Sequence, residues 1–343
     1  FWRHIGTCFP GQTSIDSKKF LNSLSVFKIY GFKGLVIGSG FEGKYDILRQ
    51  ANEILPLYAN SLSVFKCLEN PVMFFKTLKL LEVPFPQVNF SAESFEDLGS
   101  DWILKDLGSS GGYGIKEKIG RKSKSSEYFQ KQLPGTAVSL SFFADGRNFI
   151  PLGYTKSVAT KQSHLPFVFC GLDGPIELDD SVDQEVLRIS KLIIRKFKLR
   201  GFNGIDFLVS DKTVHFLDLN PRITASFEIL QESHSFSFFE KHIQLTGANP
   251  GNVHISESFS ATQKKIISGF RIIYAESDCY INESCQESLF NRKFLTNIPN
   301  KKYFFKKYEP VCSVFLRGNS ILELQRALDD KVQFVYNKLS QVT

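Results

Sequence analysis

The chain of 343 residues has room for two or three domains of roughly 100–200 residues each, and its 42% hydrophobic content supports ordinary buried cores. Lys and Arg number 42 against 35 Asp and Glu, a net charge of +7 without the basic stripe and recognisable module of a nucleic-acid binder, so an anionic small ligand accounts for the charge. No apolar run approaches the ~18 residues of a membrane span, the opening FWRHIGTCFP is not a signal peptide, and the six scattered Cys match no zinc spacing, so a reducing cytoplasm and no membrane partner are expected.

The chain does not begin with Met, which leaves room for a missing N-terminal piece. Residues 34–37 (GLVI) read as a short buried strand, followed by a glycine-rich turn at 38–43, a helix near 46–55 and a second strand at 56–59: α/β grammar. Asn70 and Pro71 start a helix, Asn70 as its cap and Pro71 in its first turn, and it runs to about Leu81 before Pro84 and Pro86 stop it. A strand at 102–105 leads into a glycine loop at 108–114. Strands at 138–143 and 149–154 flank the turn 145–148 as a hairpin. Val186, Ile189, Leu192, Ile193 and Phe197 recur at helical spacing over 183–199. Strands at 201–209 and 214–219 follow, and the last hundred residues mix short strands (269–275, 310–317) with a final amphipathic helix at 322–339. Cys279 and Cys285 are near enough in sequence to pair, with idle thiols the favoured reading.

The turn Gly38-Ser-Gly-Phe-Glu-Gly43 fits G-x-G-x-x-G, but the second strand ends at Asn60 without the acid that would hold a ribose. Extended to Lys44 it resembles a P-loop, but Tyr45 replaces the magnesium-holding Ser or Thr. A tight strand-to-helix turn is the expected role. The loop Gly108-Ser-Ser-Gly-Gly-Tyr-Gly114 is a stronger signal. Glycines let backbone N–H groups approach phosphate oxygens, serines add donors, and Lys105 on the preceding strand adds a point charge. The strongest signal is Asp206 in one apolar strand and Asp218-Leu-Asn220-Pro-Arg222 in the next. Asp218 and Asn220, two apart, share a strand face, and the intervening turn can bring Asp206 beside Asp218. Two carboxylates and an amide oxygen are hard ligands suited to magnesium, and Arg222 offers a fork for phosphate or carboxylate. The bland alternative is a structural Asp–Arg pair at a sheet end. The six His (His4, His164, His215, His234, His242, His254) lack metal spacing and read as packing residues, with His164 nearest the loop region.

Lys105, the 108–114 loop, Gln130-Lys131-Gln132-Leu133, Asp206 and Asp218-x-Asn220-Pro-Arg222, in that order, resemble the ATP-grasp superfamily, which includes biotin carboxylase and D-alanine–D-alanine ligase. The likeness covers roughly residues 64–250. It implies an α/β (α+β) ATP-grasp fold: an N-terminal pre-ATP-grasp domain over 1–65, a nucleotide-binding domain over 66–255 with a lid near 103–160, and a C-terminal subdomain over 256–343. It implies that Lys105 with Ser109, Ser110, Gly111 and Gly112 covers the ATP phosphates, that Gln130, Lys131, Gln132 and Leu133 contact adenine, and that Asp206, Asp218 and Asn220 hold two Mg2+ ions, or Mn2+. Lys105 and Arg222 would be catalytic. A second phosphate lysine would be Lys66 in preference to Lys76. Three departures stand out: Asp218 where Glu is usual, Gln130 in place of the acid of the hinge, and Ala137 in place of an acid just after it.

The segment GSGFE and residues 309–315 (EPVCSVF) are similar to a biotin-carboxylase-related group of ligases near the tyramine–glutamate ligase of methanofuran biosynthesis. The resemblance implies ATP-dependent joining of a small-molecule carboxylate to an amine through an acyl phosphate, in one-carbon cofactor assembly, by a cytoplasmic enzyme that can be a homodimer. The rival readings are a bicarbonate-phosphorylating carboxylase and a nucleotide-binding scaffold without catalysis.

Overall fold

In the computed structural model the described residues are 16–92, 94, 96, 98–107, 109–117, 122–160, 166–247, 255, 266–282, 289, 291–299 and 303–340. They begin with helices α1 (Ser17–Ile29), α2 (Tyr45–Ile54), α3 (Leu62–Leu68) and α4 (Pro71–Leu80). The sequence reading passed over α1, yet its signals are present: Asp16 Oδ1 accepts from the Lys19 N–H at 3.0 Å, and Phe20 and Leu24, one turn apart, bury against Ala51 and Leu55. Asn70 caps α4 as expected, accepting from the Met73 N–H at 3.1 Å. The strands expected at 34–37 and 56–59 shrink to one parallel bridge, Leu35 to Leu57. A Cβ on Gly34 would stand 1.9 Å from the Tyr58 ring, and the chain bends at 39–40, soon after the bridge.

The next segment forms a small antiparallel sheet of β1 (Val88–Asn89), β2 (Trp102–Asp106), β3 (Ile115–Lys116) and β4 (Glu127–Lys131) in the order β1-β4-β2-β3. The remaining main-sheet strands are β5 (Thr136–Asp145), β6 (Phe149–Ala159), β7 (Phe169–Ile176), β8 (Arg200–Ser210), β9 (Thr213–Asn220), β10 (Ile267–Tyr274), the short β12 (Leu295–Thr296) and β14 (Pro310–Gly318). They pair antiparallel in the order β12-β14-β10-β7-β6-β5-β8-β9, with β11 (Cys279–Ile281) and β13 (Tyr303–Phe305) as a separate pair.

The hairpin at 138–154, expected in the lid, instead stands in the middle of this large sheet. The reason lies in its composition. Val138, Leu140, Phe142 and Ala144 point to one face, where α5 (Asp180–Phe197) packs through Val186, Ile189 and Ile193. Phe143, between them, points to the other, against Leu230 and Phe238 of α6 (Ser226–Glu232) and α7 (Phe238–Thr246). A strand apolar on both faces belongs inside a layered core. Its turn is held as read from sequence: Asp145 Oδ1 accepts from the N–H groups of Arg147 and Asn148, and Gly146 takes a φ of 97°. The last helix, α8 (Ile321–Leu339), covers β10 and β14 with Leu324, Leu328 and Val335. Among the described residues no helix is long and apolar enough to cross a membrane. Cys67 and Cys312 are free thiols, whereas Cys8, Cys285, His4, His164 and His254 lie outside the described residues.

Two buried polar side chains tie the N-terminal segment to the large sheet. Asn60 donates to Asn203 Oδ1 at 2.7 Å and to the Pro221 carbonyl at 2.9 Å, and accepts from the Arg200 N–H at 2.7 Å. His242 Nδ1 accepts from the Phe202 N–H at 3.0 Å, so Nε2 carries the proton and donates to the Tyr58 carbonyl at 2.8 Å. Burial, only partly opposed by that carbonyl, lowers the His242 pKa to about 4. The neutral ring is therefore the native one, and the unfolded chain binds the extra proton. The stability it contributes is full above about pH 6.5 and is lost as pH falls towards 4, roughly 3 kcal/mol over that window. A His242→Asn variant should be less stable at pH 7.5, and its deficit relative to wild type should shrink between pH 6.5 and 4.5 in urea melts. A constant deficit would contradict this account.

Candidate active site

Strand β2 reads Trp-Ile-Leu-Lys-Asp, with Trp102, Ile103 and Leu104 buried and Lys105 half-buried at its end. Lys105 stands opposite Ile115 on β3 and Tyr128 on β4. The glycine loop turns immediately beyond. Gly111 and Gly112 take φ values of 62° and 80°, conformations that cost a side-chain-bearing residue, and Gly111 accepts from the Phe169 N–H at 2.9 Å. Ser109, Ser110, Gly111 and Gly112 line one cavity with Lys105; Gly108 lies outside the described residues.

The opposite wall comes from β8 and β9. The register sets Asp206 directly against Asp218, with a bulge just after Asp206, and Gly204 against Asn220. Ser139 Oγ donates to Asp206 Oδ1, and Asn220 Nδ2 donates to Asp206 Oδ2 at 3.0 Å. Asp218 Oδ1 accepts its neighbour's N–H, from Leu219, at 2.9 Å. Arg222 follows the strand end and donates from Nη2 to Asn220 Oδ1 at 3.0 Å. Asp218 is exposed, its surface facing the cavity, whose walls crowd the carboxylate. Burial pushes the Asp218 pKa up to about 6; Lys105 opposes the shift and the Asp206 carboxylate reinforces it. Burial also raises Asp206, against the Ser139 and Asn220 hydrogen bonds, and lowers Lys105, against the pull of both aspartates.

A cavity that holds two facing carboxylates above their ordinary pKa is short of positive charge. The oxygens of Asp206, Asp218 and Asn220 fit a hard divalent cation whose remaining ligands are phosphate and water. The set has only two carboxylates, and among the described residues no cluster of three or more His, Cys, Asp or Glu occurs, here or elsewhere.

Other residues expected at the site lie elsewhere. Lys66 is exposed on α3, over the Tyr45 ring at 5.5 Å, because the helix turns Val64 and Phe65 inward. Lys76 opens to a surface groove on the far side of α4. Among the described residues, Lys105 and Arg222 are the cations lining the cavity. Gln130, Lys131, Gln132 and Leu133 do not line it. Lys131 pairs with Asp101 at 3.3 Å, and the N–H groups of Lys131 and Gln132 donate to the Gln87 and Asp101 carbonyls, each at 2.8 Å. Gln130 is buried with its Nε2 unpaired, an orphan donor two residues along β4 from the cavity-lining Tyr128. Sequence reasoning missed Tyr128, Ile115 and Leu217, which line the cavity with Lys105, and Glu42, which reaches Arg222 from the glycine turn.

Residues 68–226 match the family model of the ATP-grasp domain. This region is an ATP-grasp domain. The ATP-grasp match starts at the end of α3 and stops at the start of α6, taking in Lys105, the glycine loop, Asp206, Asp218, Asn220 and Arg222, and leaving Glu42 outside. The whole chain has the ATP-grasp fold. It is similar to biotin carboxylase of Campylobacter jejuni, solved as a β,γ-ATP complex, with TM-score 0.67 and 12% identity over 91% of this chain and 77% of that one. It is also similar to the biotin carboxylase domain of 2-oxoglutarate carboxylase from Hydrogenobacter thermophilus, solved with MgADP, ADP and bicarbonate, with TM-score 0.65 and 12% identity over 96% and 78% of the two chains. An uncharacterized protein of Methanocaldococcus jannaschii is 24% identical over 264 residues, 74% of this chain, and the chain spans 61% of that relative's length.

Proposed function

We propose that the protein is an ATP-dependent ligase that converts a small carboxylic acid into an acyl phosphate and passes the acyl group to an amine. The observation that carries this reading is the facing pair Asp206 and Asp218, with Asn220 and Arg222, across one cavity from Lys105 and the glycine loop. Asp206, Asp218 and Asn220 would hold the magnesium that accompanies ATP, which when bound screens phosphate charge. Lys105, whose charge burial disfavours until anions surround it, would take the charge of the transferred phosphoryl group. Ile115, Tyr128 and Leu217 would offer apolar surface for the base, and Gln130 Nε2, two residues along β4 from Tyr128, an unspent donor.

In the first step an oxygen of the acid attacks the γ-phosphorus and ADP leaves. In the second the amine nitrogen attacks the acyl carbon, phosphate leaves, and the nitrogen gives up a proton. The loop over the cavity excludes water that would otherwise hydrolyse the mixed anhydride. On this reading residues 16–65 serve as the pre-ATP-grasp part, the small sheet as the lid, and the region from 256 as the C-terminal subdomain.

The test is ADP and phosphate release with Mg-ATP, L-glutamate and a panel of amines, beside a Lys105→Met control. Acid- and amine-dependent release, reduced by on the order of 10²-fold in the variant, supports the ligase. Stimulation by bicarbonate alone would favour the carboxylase reading, to which the fold likeness also lends itself. ATP binding without turnover for any acid would leave a scaffold.

A further inference from the structure

The glycine turn at 38–43, which no nucleotide motif explains, ends against Arg222. Gly40 and Gly43 take φ values of 99° and 64°, and the Gly40 N–H donates to Glu42 Oε2 at 2.7 Å. The other carboxylate oxygen, Oε1, accepts from Arg222 Nε at 2.8 Å and from Nη2. Arg222 Nη2 also reaches Asn220 Oδ1, and Nη1 donates to the Ile223 carbonyl at 3.2 Å. The Nε/Nη2 edge, one of the two edges with which a guanidinium grips a carboxylate, is thus filled by a carboxylate of the same chain. Both side chains sit at the cavity wall, Arg222 11% and Glu42 25% exposed. Burial alone would push the Glu42 carboxyl up, but Arg222 and the turn's backbone N–H groups outweigh it and keep the group ionised.

We propose that Glu42 is an internal competitor for the anion seat of Arg222, and that the acid substrate enters that seat by exchanging with it. The exchange rests on the ligase reading for the identity of the incoming acid. A tethered carboxylate competes at an effective concentration on the order of millimolar or more. A small anion held by Arg222 alone does not outcompete it. An acid with further contacts in the cavity does, so Glu42 selects larger acids against bicarbonate and acetate.

The experiment labels the full-length protein with phenylglyoxal and follows modification of Arg222 by peptide mass mapping, with acetate and bicarbonate as probe anions. Wild type should label slowly and show no protection by either probe at a few millimolar. Glu42→Gln should label about tenfold faster and be protected by millimolar acetate. Glu42→Asp, with the carboxylate drawn back by one methylene, should fall between. Glu69→Gln, which removes a neighbouring carboxylate that lines the cavity and bonds the Tyr45 N–H, should label as wild type does. If Glu42 only positions Arg222, the anions protect Glu42→Gln no better than wild type, and the proposal falls. Equal labelling of all four proteins also overturns it. The labelling needs no turnover. A wild type that hydrolyses ATP with no acid would sink the ligase reading and leave this result standing.

Discussion

Replacing Asp218 with asparagine is expected to cut acid-dependent ATP turnover by on the order of 10³-fold and to raise the melting temperature of the nucleotide-free protein. Both signs follow from one fact. Asp206 and Asp218 face each other across β8 and β9, and desolvation lifts both above the ordinary carboxylate range. Without a cation the two facing charges repel, which is a cost to the fold. Asparagine keeps the shape and one acceptor oxygen but removes the charge that a metal nucleotide needs. Scanning calorimetry with and without Mg-ADP reads both effects. Wild type should gain more from Mg-ADP than the variant does, and the variant should start higher. A variant that melts lower without ligand would mean that the acid pair is structural, held by Ser139, Asn220 and the Leu219 N–H rather than awaiting a cation.

The same pair illustrates what was legible in the sequence. A strand's period of two put Asp218 and Asn220 on one face, and a short turn left Asp206 no distant place to go. The glycine loop was legible because strand, lysine and four glycines are contiguous. Contacts that close over long sequence distances were not. Glu42 and Arg222 are separated by 180 positions, and nothing in the turn's own pattern names its partner. The hairpin at 138–154 belongs to the large sheet and not to the lid, and the sequence carries the signal for it. A run such as Leu140-Ser-Phe-Phe-Ala144 carries apolar side chains to both faces, which marks a central strand rather than a lid. Lys66 was placed by its position in the chain, whereas helix phase decides: Val64 and Phe65 take the inward side of α3 and leave Lys66 outside. The segment 130–133 shows another limit. Which backbone N–H groups of a strand end remain free depends on the strand beside it, here on Gln87 and Asp101.

A second large effect is expected at Gly112, and its neighbour supplies the control. A Cβ on Gly112 would stand 1.9 Å from the Phe167 carbonyl oxygen and 3.2 Å from the Val168 Cα, backbone atoms that cannot rotate away. Gly111 takes a similar left-handed φ, but a Cβ there would meet only a Tyr113 ring atom at 3.9 Å. Alanine at 111 therefore pays only the left-handed strain of roughly 1–2 kcal/mol, whereas alanine at 112 must also push the loop off the strand that seats it. That seat is built from the Phe169 N–H to the Gly111 carbonyl, with the Tyr274 hydroxyl donating to the Phe169 carbonyl at 2.8 Å. If the loop covers the ATP phosphates as proposed, displacing it by an ångström or more is expected to lower kcat/KM for ATP by about 10²-fold for Gly112→Ala, against a few-fold for Gly111→Ala. Hydrogen exchange distinguishes the mechanism from general damage. The Phe169 amide should lose protection in Gly112→Ala while the amides of β5 and β8 keep theirs, because the loop contributes nothing to the core clusters that hold those strands. Equal losses of activity at 111 and 112 would mean that left-handed backbone alone sets the loop's function and that its docking on β7 is incidental.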